Sequence, residues 1–328
     1  MRLRTVSQHA PGWRRVRHGR GFRYLDEHGD PLGPEEVERV RALVIPPAWT
    51  EVWICPYPQG HLQAVGTDDA GRRQYLYHPQ WRLQRDLEKF DRVIDLGEKL
   101  PGLRRKLRNE LAADAGDDAT ERTRVLALAV RLIDLGCFRP GSEGATEENE
   151  THGLTTLERR HVTCRQGTAV FRFVGKSDVE HEIRIEDPVV VEAVTRLRRA
   201  RRSDPRLLAT HTGRRWHPVT PEEVNDHIRE LTGLEVTAKD FRTWHATVTV
   251  AAELARPPVP SSTRARKRRV TEALGAAADL LGNTPTVARS SYVDPRVLDL
   301  FDSGTVLDPV PSGPDALDRA VARTLRRA

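Results

Sequence analysis

One tyrosine stands apart in this chain. Tyr24, Tyr57, Tyr75 and Tyr77 lie in the first eighty residues, and the fifth, Tyr292, lies in "LLGNTPTVARSSYVD". A phenol can attack a phosphodiester, and the chemistry dictates its company. The non-bridging oxygens gain negative charge in the transition state, so fixed cations must surround them, guanidinium forks best of all. The departing alkoxide needs a proton, which a lysine can supply. The phenol, with an intrinsic pKa near ~10, must lose its own proton as it attacks. Four candidates precede it in order: Arg139 in "GCFRPGSEG", Lys176 in "FRFVGKSDVEH", Arg242 in "AKDFRTWHATV" and Asn283 in "LLGNTP". Lysine is scarce, six of 53 basic residues, so Lys176 and Lys239 draw attention. Taken one at a time, each residue has an ordinary reading: a surface arginine, a solvated lysine, a half-buried aromatic.

The elements that must carry these residues follow from pattern. The first eighty-odd residues read as mixed β with short helices. "GFRYLDEHGDPLG" (21–33) looks like a hairpin turning at His28-Gly29-Asp30. Pro34 and two acids open a short helix over "PEEVERVRALVI". "EVWICPYP", "HLQAVGTDD" and "RRQYLYHP" alternate like strands. From about residue 81 the period becomes helical, with a break expected at Pro101-Gly102. "ATERTRVLALAVRLIDLG" (119–136) is a second helix, ended by Gly136. Residues 154–185 return to strands, with turns near Gln166 and Lys176. After Pro188 the chain reads as helical to its end. The predicted class is α+β: a β-rich domain over 1–86, then a larger, mainly helical domain over 87–328 with a small embedded antiparallel sheet.

With 328 residues the chain is long enough for two domains with cores of their own. No apolar run approaches a membrane span, and "MRLRTVSQHAPGW" has no apolar signal region. Cys55, Cys137 and Cys164 are far apart and odd in number, which fits a reducing compartment without disulfides or a zinc site. The net charge of +6 points weakly to a polyanion. The runs "RLRRARR" (196–202) and "RARKRR" (264–269) point there more directly, although each also reads as a solvated charge run.

Longer stretches then carry a resemblance. "RVRALVIPPAWTEVWICPYPQGHLQAVGTDDAGRRQYLYHPQW", "FRPGSEGATEENETHGLTTL", "FVGKSDVEHEI", "KDFRTWHATV" and "GNTPTVARSSYVDP" together resemble type IB DNA topoisomerases of the compact poxvirus-like kind found in bacteria. The resemblance covers nearly the whole chain. It implies a catalytic domain of the tyrosine recombinase and type IB topoisomerase kind. It implies that Tyr292 forms a 3′-phosphotyrosyl bond, that Arg139 and Arg242 clamp the non-bridging oxygens, that Lys176 is the acid for the leaving 5′-oxygen, and that Lys239 is a supporting cation. Gln74, Tyr75 and Tyr77 would touch DNA; by alternation the two tyrosines share one face of their strand and Gln74 the other. The implied partner is double-stranded DNA, with no membrane, held by a monomer closing as a clamp in the cytoplasm on the nucleoid. No cofactor is expected: ester exchange keeps the bond energy in the covalent intermediate, and the chain has no GxxxxGK[ST] loop or compact His/Cys/carboxylate cluster.

Two departures qualify the carry-over. Where the poxvirus enzymes have a histidine nine residues before the tyrosine, this chain has Asn283, which can donate or accept hydrogen bonds but cannot shuttle a proton. It is expected to act as a donor to a phosphoryl oxygen. Ala145 stands in a segment where those enzymes carry a base-reading tyrosine, so a weaker or different sequence preference is expected. Two other readings remain. A tyrosine recombinase shares the nucleophile and arginines, but usually carries a histidine where this chain has Lys239. A basic DNA-binding protein without chemistry is the other.

Overall fold

The computed structural model describes residues 2–114, 116–141, 151–200, 204–213 and 215–328. Ala145, with the segment 142–150 around it, lies outside them, as do Arg201 and Arg202 of the first basic run. The chain divides into two compact units, Met1–Lys89 and Phe90–Ala328. Ten α-helices and ten strands are formed among the described residues.

The first unit is a five-stranded antiparallel sheet in the order β2-β1-β3-β4-β5. Its strands are β1 (Trp13–His18), β2 (Gly21–Leu25), β3 (Thr50–Ile54), β4 (Leu62–Thr67) and β5 (Arg73–Tyr77). One helix, α1 (Pro34–Ala42), starts at a proline with Glu35 and Glu36 in its first turn, which suits the positive end of the helix dipole. Trp13, Val40, Val52, Ile54 and Ala64 make its small core. The turn expected at His28-Gly29-Asp30 is formed, closed by Asp26 N to the Asp30 carbonyl at 2.8 Å and Leu32 N to the Tyr24 carbonyl at 3.1 Å, but its second arm makes only the Leu25–Pro31 bridge and no strand. β2 pairs mainly back onto β1, from His18↔Gly21 to Arg14↔Leu25. The full edge of β1 offers more ladder bonds than the short segment after Asp30.

The second unit begins its core within α2 (Pro79–Ala112). That helix runs through Pro101 without the expected break. An interior proline costs about 3 kcal/mol. The buried stripe Ile94, Leu96, Leu100, Leu103 and Leu107 removes five large side chains from water, each contributing about 1.5–3 kcal/mol, so burial wins. α3 (Asp118–Gly136) lies in the same core. A three-stranded antiparallel sheet follows, β6 (Val162–Arg165), β7 (Thr168–Gly175) and β8 (Val179–Ile185), with a turn over Lys176–Asp178 at the β7–β8 tip. α4 (Pro188–Arg199) leads to a hairpin the sequence reading missed, β9 (Ala209–Thr212) with β10 (Arg215–Pro218). Among the described residues these strands pair only with each other, and their mixed polar pattern gives little periodic signal. The rest is helical: α5 (Pro221–Thr232), α6 (Ala238–Leu254), α7 (Thr263–Leu281), α8 (Pro285–Ser291), α9 (Pro295–Asp302) and α10 (Pro314–Leu325). The C-terminal α10 is docked: Val321, Ala322 and Leu325 are buried, and Asp318 accepts from Trp244 Nε1 at 2.8 Å. No helix among the described residues is long and apolar enough to cross a membrane.

Candidate active site

Two helix ends build the site. α3 continues through Gly136, and the left-handed cap is Cys137, at φ 51°. Gly136 is required for space instead, since a Cβ there would lie 2.5 Å from Phe138. A left-handed residue with a side chain costs on the order of 1–3 kcal/mol, and here it redirects the chain toward Arg139. α7 ends in a Schellman turn: Gly282 has φ 59°, and the Asn283 amide returns to the Ala278 carbonyl at 3.0 Å. Asn283 is thereby held just before Thr284, whose Oγ1 caps α8 by accepting from Val287 N at 3.3 Å.

Arg242 ties the two ends together. It rises from α6, is only 3% exposed, and donates from Nη1 to the Cys137 carbonyl and from Nη2 to the Leu281 carbonyl at 2.8 Å. Both acceptors lie at helix C-termini, where a cation is favoured. Its Nε–H is buried without a partner among the described residues. Arg139 Nη2 donates to Asn283 Oδ1 at 2.7 Å, which fixes the amide and leaves Asn283 Nδ2 buried, with no partner among the described residues. Tyr292 caps the end of α8, with the Arg242 guanidinium carbon 5.4 Å from its ring centroid. Thr247 Oγ1 pins the backbone of Tyr292, donating to its carbonyl at 3.3 Å and accepting from Asp294 N at 3.1 Å.

The electrostatics are lopsided. Neither Arg139 nor Arg242 has a carboxylate partner among the described residues. Burial and then the charge of Arg242 push the Arg139 guanidinium below its ordinary value, against the pull of Tyr292. Two cations, a free Nε–H and a free amide group thus converge where no carboxylate pairs with them among the described residues. A phosphodiester has the charge and the acceptor oxygens to match such a set, and the Tyr292 phenol stands beside Arg242.

A cleft of about 460 Å³ holds Arg139, Arg242 and Lys176 in its lining. Lys176 is exposed at the β7–β8 tip. Lys239 is exposed on the first turn of α6, outside that lining. In the other unit Tyr75 and Tyr77 are 41% and 37% exposed and stack at 6.2 Å, while Gln74 Nε2 donates to Asp68 Oδ2 at 2.9 Å. The basic run over 264–269 is partly structural: Arg269 donates to the Glu253, Arg256 and Pro258 carbonyls, and Arg266 to that of Phe301. The sequence reading passed over Thr247 and His181. The alternation of β8, which turns His181 inward with Ile183 and Ile185, was the available signal for the histidine.

A guanidinium pair without a carboxylate among the described residues, with a phenol beside it, is the equipment that ester exchange at phosphorus requires. Comparison with known proteins specifies it. Residues 78–299 match the family described as eukaryotic DNA topoisomerase I, catalytic core, and residues 21–68 match the bacterial DNA topoisomerase IB N-terminal domain. The chain belongs to the DNA topoisomerase I family, of the type IB kind. It is 28% identical over 286 residues to DNA topoisomerase 1B of Acanthamoeba polyphaga mimivirus, covering 85% of this chain and 84% of that one. It is 25% identical over 255 residues to DNA topoisomerase I of Monkeypox virus, covering 75% and 74%. A Schizosaccharomyces pombe DNA topoisomerase 1 is 28% identical over 177 residues, 53% of this chain and 20% of its own.

Proposed function

We propose that this DNA topoisomerase cleaves and reseals one strand of duplex DNA through Tyr292. The phenol oxygen forms a bond to phosphorus as the bond from phosphorus to the 5′-oxygen breaks. Arg139, Arg242 and the Asn283 amide donate to the non-bridging oxygens, with Lys239 as a further cation. The phenol gives up its proton as it attacks, and Lys176 protonates the leaving oxygen. The product is a 3′-phosphotyrosyl ester and a free 5′-hydroxyl. Rotation of the free end relaxes supercoils of either sign, and the 5′-hydroxyl then reverses the reaction. One ester replaces another, so the reaction needs no external energy source. The observation that carries this reading is the pair of guanidinium groups, without a carboxylate partner among the described residues, beside Tyr292.

We also read residues 1–86 as a DNA-clamp domain and 87–328 as a catalytic domain of the recombinase and topoisomerase kind, working as a monomer that closes on DNA. Tyr75, Tyr77 and Gln74 would contact the duplex, mostly at phosphates, so binding should fall steeply with salt. The bacterial type of the N-terminal domain supports a cytoplasmic, nucleoid-bound enzyme.

The test is relaxation of supercoiled plasmid in EDTA without ATP, with Tyr292→Phe alongside. Wild type relaxes positive and negative supercoils, and the variant binds DNA without relaxing it. Relaxation by the variant would remove Tyr292 from the reaction; a covalent adduct without relaxation would favour a recombinase. Lys176→Ala should slow cleavage by roughly 10²–10⁴-fold, with most of the loss recovered on a 5′-phosphorothiolate whose leaving group needs no proton. Absence of that recovery takes the acid role from Lys176.

A further inference from the structure

The cleft contains a ring that the proposed reaction leaves unused. His181 lies in the lining that also holds Arg139, Arg242 and Lys176. Its imidazole is wedged between the two turns that present the chemistry. A Cβ on Gly282, the residue before Asn283, would lie 2.4 Å from His181 Cε1. A Cβ on Gly175, the residue before Lys176, would lie 2.7 Å from His181 Cδ2 and Nε2. Glycine at both positions is what admits the ring. Phe173 holds it from the side, stacked at 5.1 Å and 23°.

The ring is placed but not satisfied: neither nitrogen has a hydrogen-bond partner among the described residues. Burial, then the charges of Arg139 and Arg242, push the imidazole below its ordinary value, so at neutral pH it is uncharged and carries one N–H. Other groups on this cleft are either engaged or turned to solvent. His152 Nδ1 is 3.0 Å from the Thr156 carbonyl. Glu182 is taken by Arg172 at 2.7 Å and by Arg184 at 2.6 Å. Glu180 and Asp279 are exposed.

Resting on the proposed reaction, we propose that His181 is a further catalytic residue, whose ring N–H donates to a non-bridging oxygen of the phosphodiester held by Arg139 and Arg242. The turn that carries Asn283 presents an amide and no imidazole; β8 presents the ring, against the neighbouring Gly282. A neutral donor is suited to the task. It adds a hydrogen bond to the developing charge without adding a third cation to a pair that already repel each other.

The experiment is single-turnover formation of the covalent adduct by the full chain on a duplex with one cleavage site. Wild type, His181→Phe and His181→Gln are compared, each with its thermal melt. Phenylalanine keeps the wedge and the stack but has no N–H, and glutamine restores a donor. The expected result is a roughly 10²-fold slower His181→Phe, in the range for one lost transition-state donor, with glutamine recovering much of the rate. Stereopure methylphosphonates at the scissile position add a second readout. One stereoisomer, lacking the contacted oxygen, should nearly erase the difference between wild type and His181→Phe, and the other should preserve it. A phenylalanine variant as fast as wild type would make the ring a wedge alone. A defect preserved equally with both stereoisomers would show that it acts through structure and not through contact. If wild type forms an adduct and either of these results holds, only this inference falls. If wild type forms no adduct at Tyr292, the underlying reading falls with it.

Discussion

Two arginine clusters lie within a few residues of each other in sequence, and they are built on opposite principles. In the first, Arg104 grips Asp134 with Nε and Nη2 at 2.9 and 3.1 Å and Asp318 with Nη1 at 2.7 Å. Arg131 joins Asp134 to Asp187, and His245 Nε2 lies 3.2 Å from Asp134. Every cation there faces a carboxylate. Burial opposes the Asp134 charge, but His245 and Arg104 hold its carboxyl well below the usual range. In the second cluster, Arg139 and Arg242 face an amide, two backbone carbonyls and a phenol. α3 carries Asp134 in one cluster and leads directly to Arg139 in the other; α6 carries both Arg242 and His245. The matched cluster joins α2, α3, α6 and α10 into a frame, and that frame carries the second pair, which has no carboxylate partner among the described residues. A stabilising interaction is one the protein completes itself; a binding site is one it leaves incomplete.

That contrast breaks most sharply at Asp134. Asp134→Ala leaves Arg104 and Arg131 facing a void, and loss of one partner in a buried ion pair costs about 3–5 kcal/mol. Denaturant unfolding should register a loss of that order, while adduct formation per folded molecule stays near wild type. Because the folded-state pKa of Asp134 is depressed, its stabilisation is present above the unfolded carboxylate value and is lost as pH falls toward the folded one. Wild type should therefore lose stability in acid over a window in which the alanine variant changes less. Arg139→Ala should do the reverse. Adduct formation falls by roughly 10²–10³-fold, and thermal stability holds or rises, because a half-buried cation with a like-charged neighbour has been removed. Equal destabilisation by the two variants would erase the distinction.

How much of this was legible follows from the same contrast. That Arg139, Lys176, Arg242 and Asn283 lie at turns or near helix ends was readable from local signals; their grouping with Tyr292 came from the resemblance, since each residue alone has an ordinary reading. The α+β division was readable because the hydrophobic period changes near residue 81. Closure of the site was not. Nothing local to Arg242 says that its fork is spent on the Cys137 and Leu281 carbonyls, which are 105 and 39 residues away. Likewise the run over 264–269 looked like a phosphate-binding patch, yet Arg266 and Arg269 are anchored to carbonyls around it. Pro101 misled because local propensity favoured a break and tertiary burial overrode it.

The comparison can be sharpened at one atom. Asn283→Asp gives Arg139 a carboxylate, which it lacks among the described residues. Once ionised, that carboxylate would pair with Arg139, gaining a charge-assisted hydrogen bond of about 1.5–3 kcal/mol. It would also occupy the anion position and remove the Nδ2 donor. The melting temperature should rise and cleavage should fall. A variant that cleaves normally would mean that phosphate does not sit between Arg139 and position 283.

The smallest effect is expected from Asn283→His. The asparagine contributes an acceptor to Arg139 at 2.7 Å and an Nδ2 amino group with no partner among the described residues. A neutral imidazole offers an acceptor nitrogen and one N–H, from a ring in place of an amide. No charge is added and a donor is kept, so adduct formation should remain at the wild-type rate or rise. The available space is the deciding factor. His181 already lies against Gly282, one residue away, so a second ring must share the wall between the two turns. If Asn283→His folds and binds DNA but is slow, pairing it with His181→Phe tells why. A defect unchanged in the pair, with Phe in place of the ring, places the fault in geometry that asparagine alone satisfies. A pair faster than His181→Phe alone shows that an imidazole at either wall can serve the same phosphate.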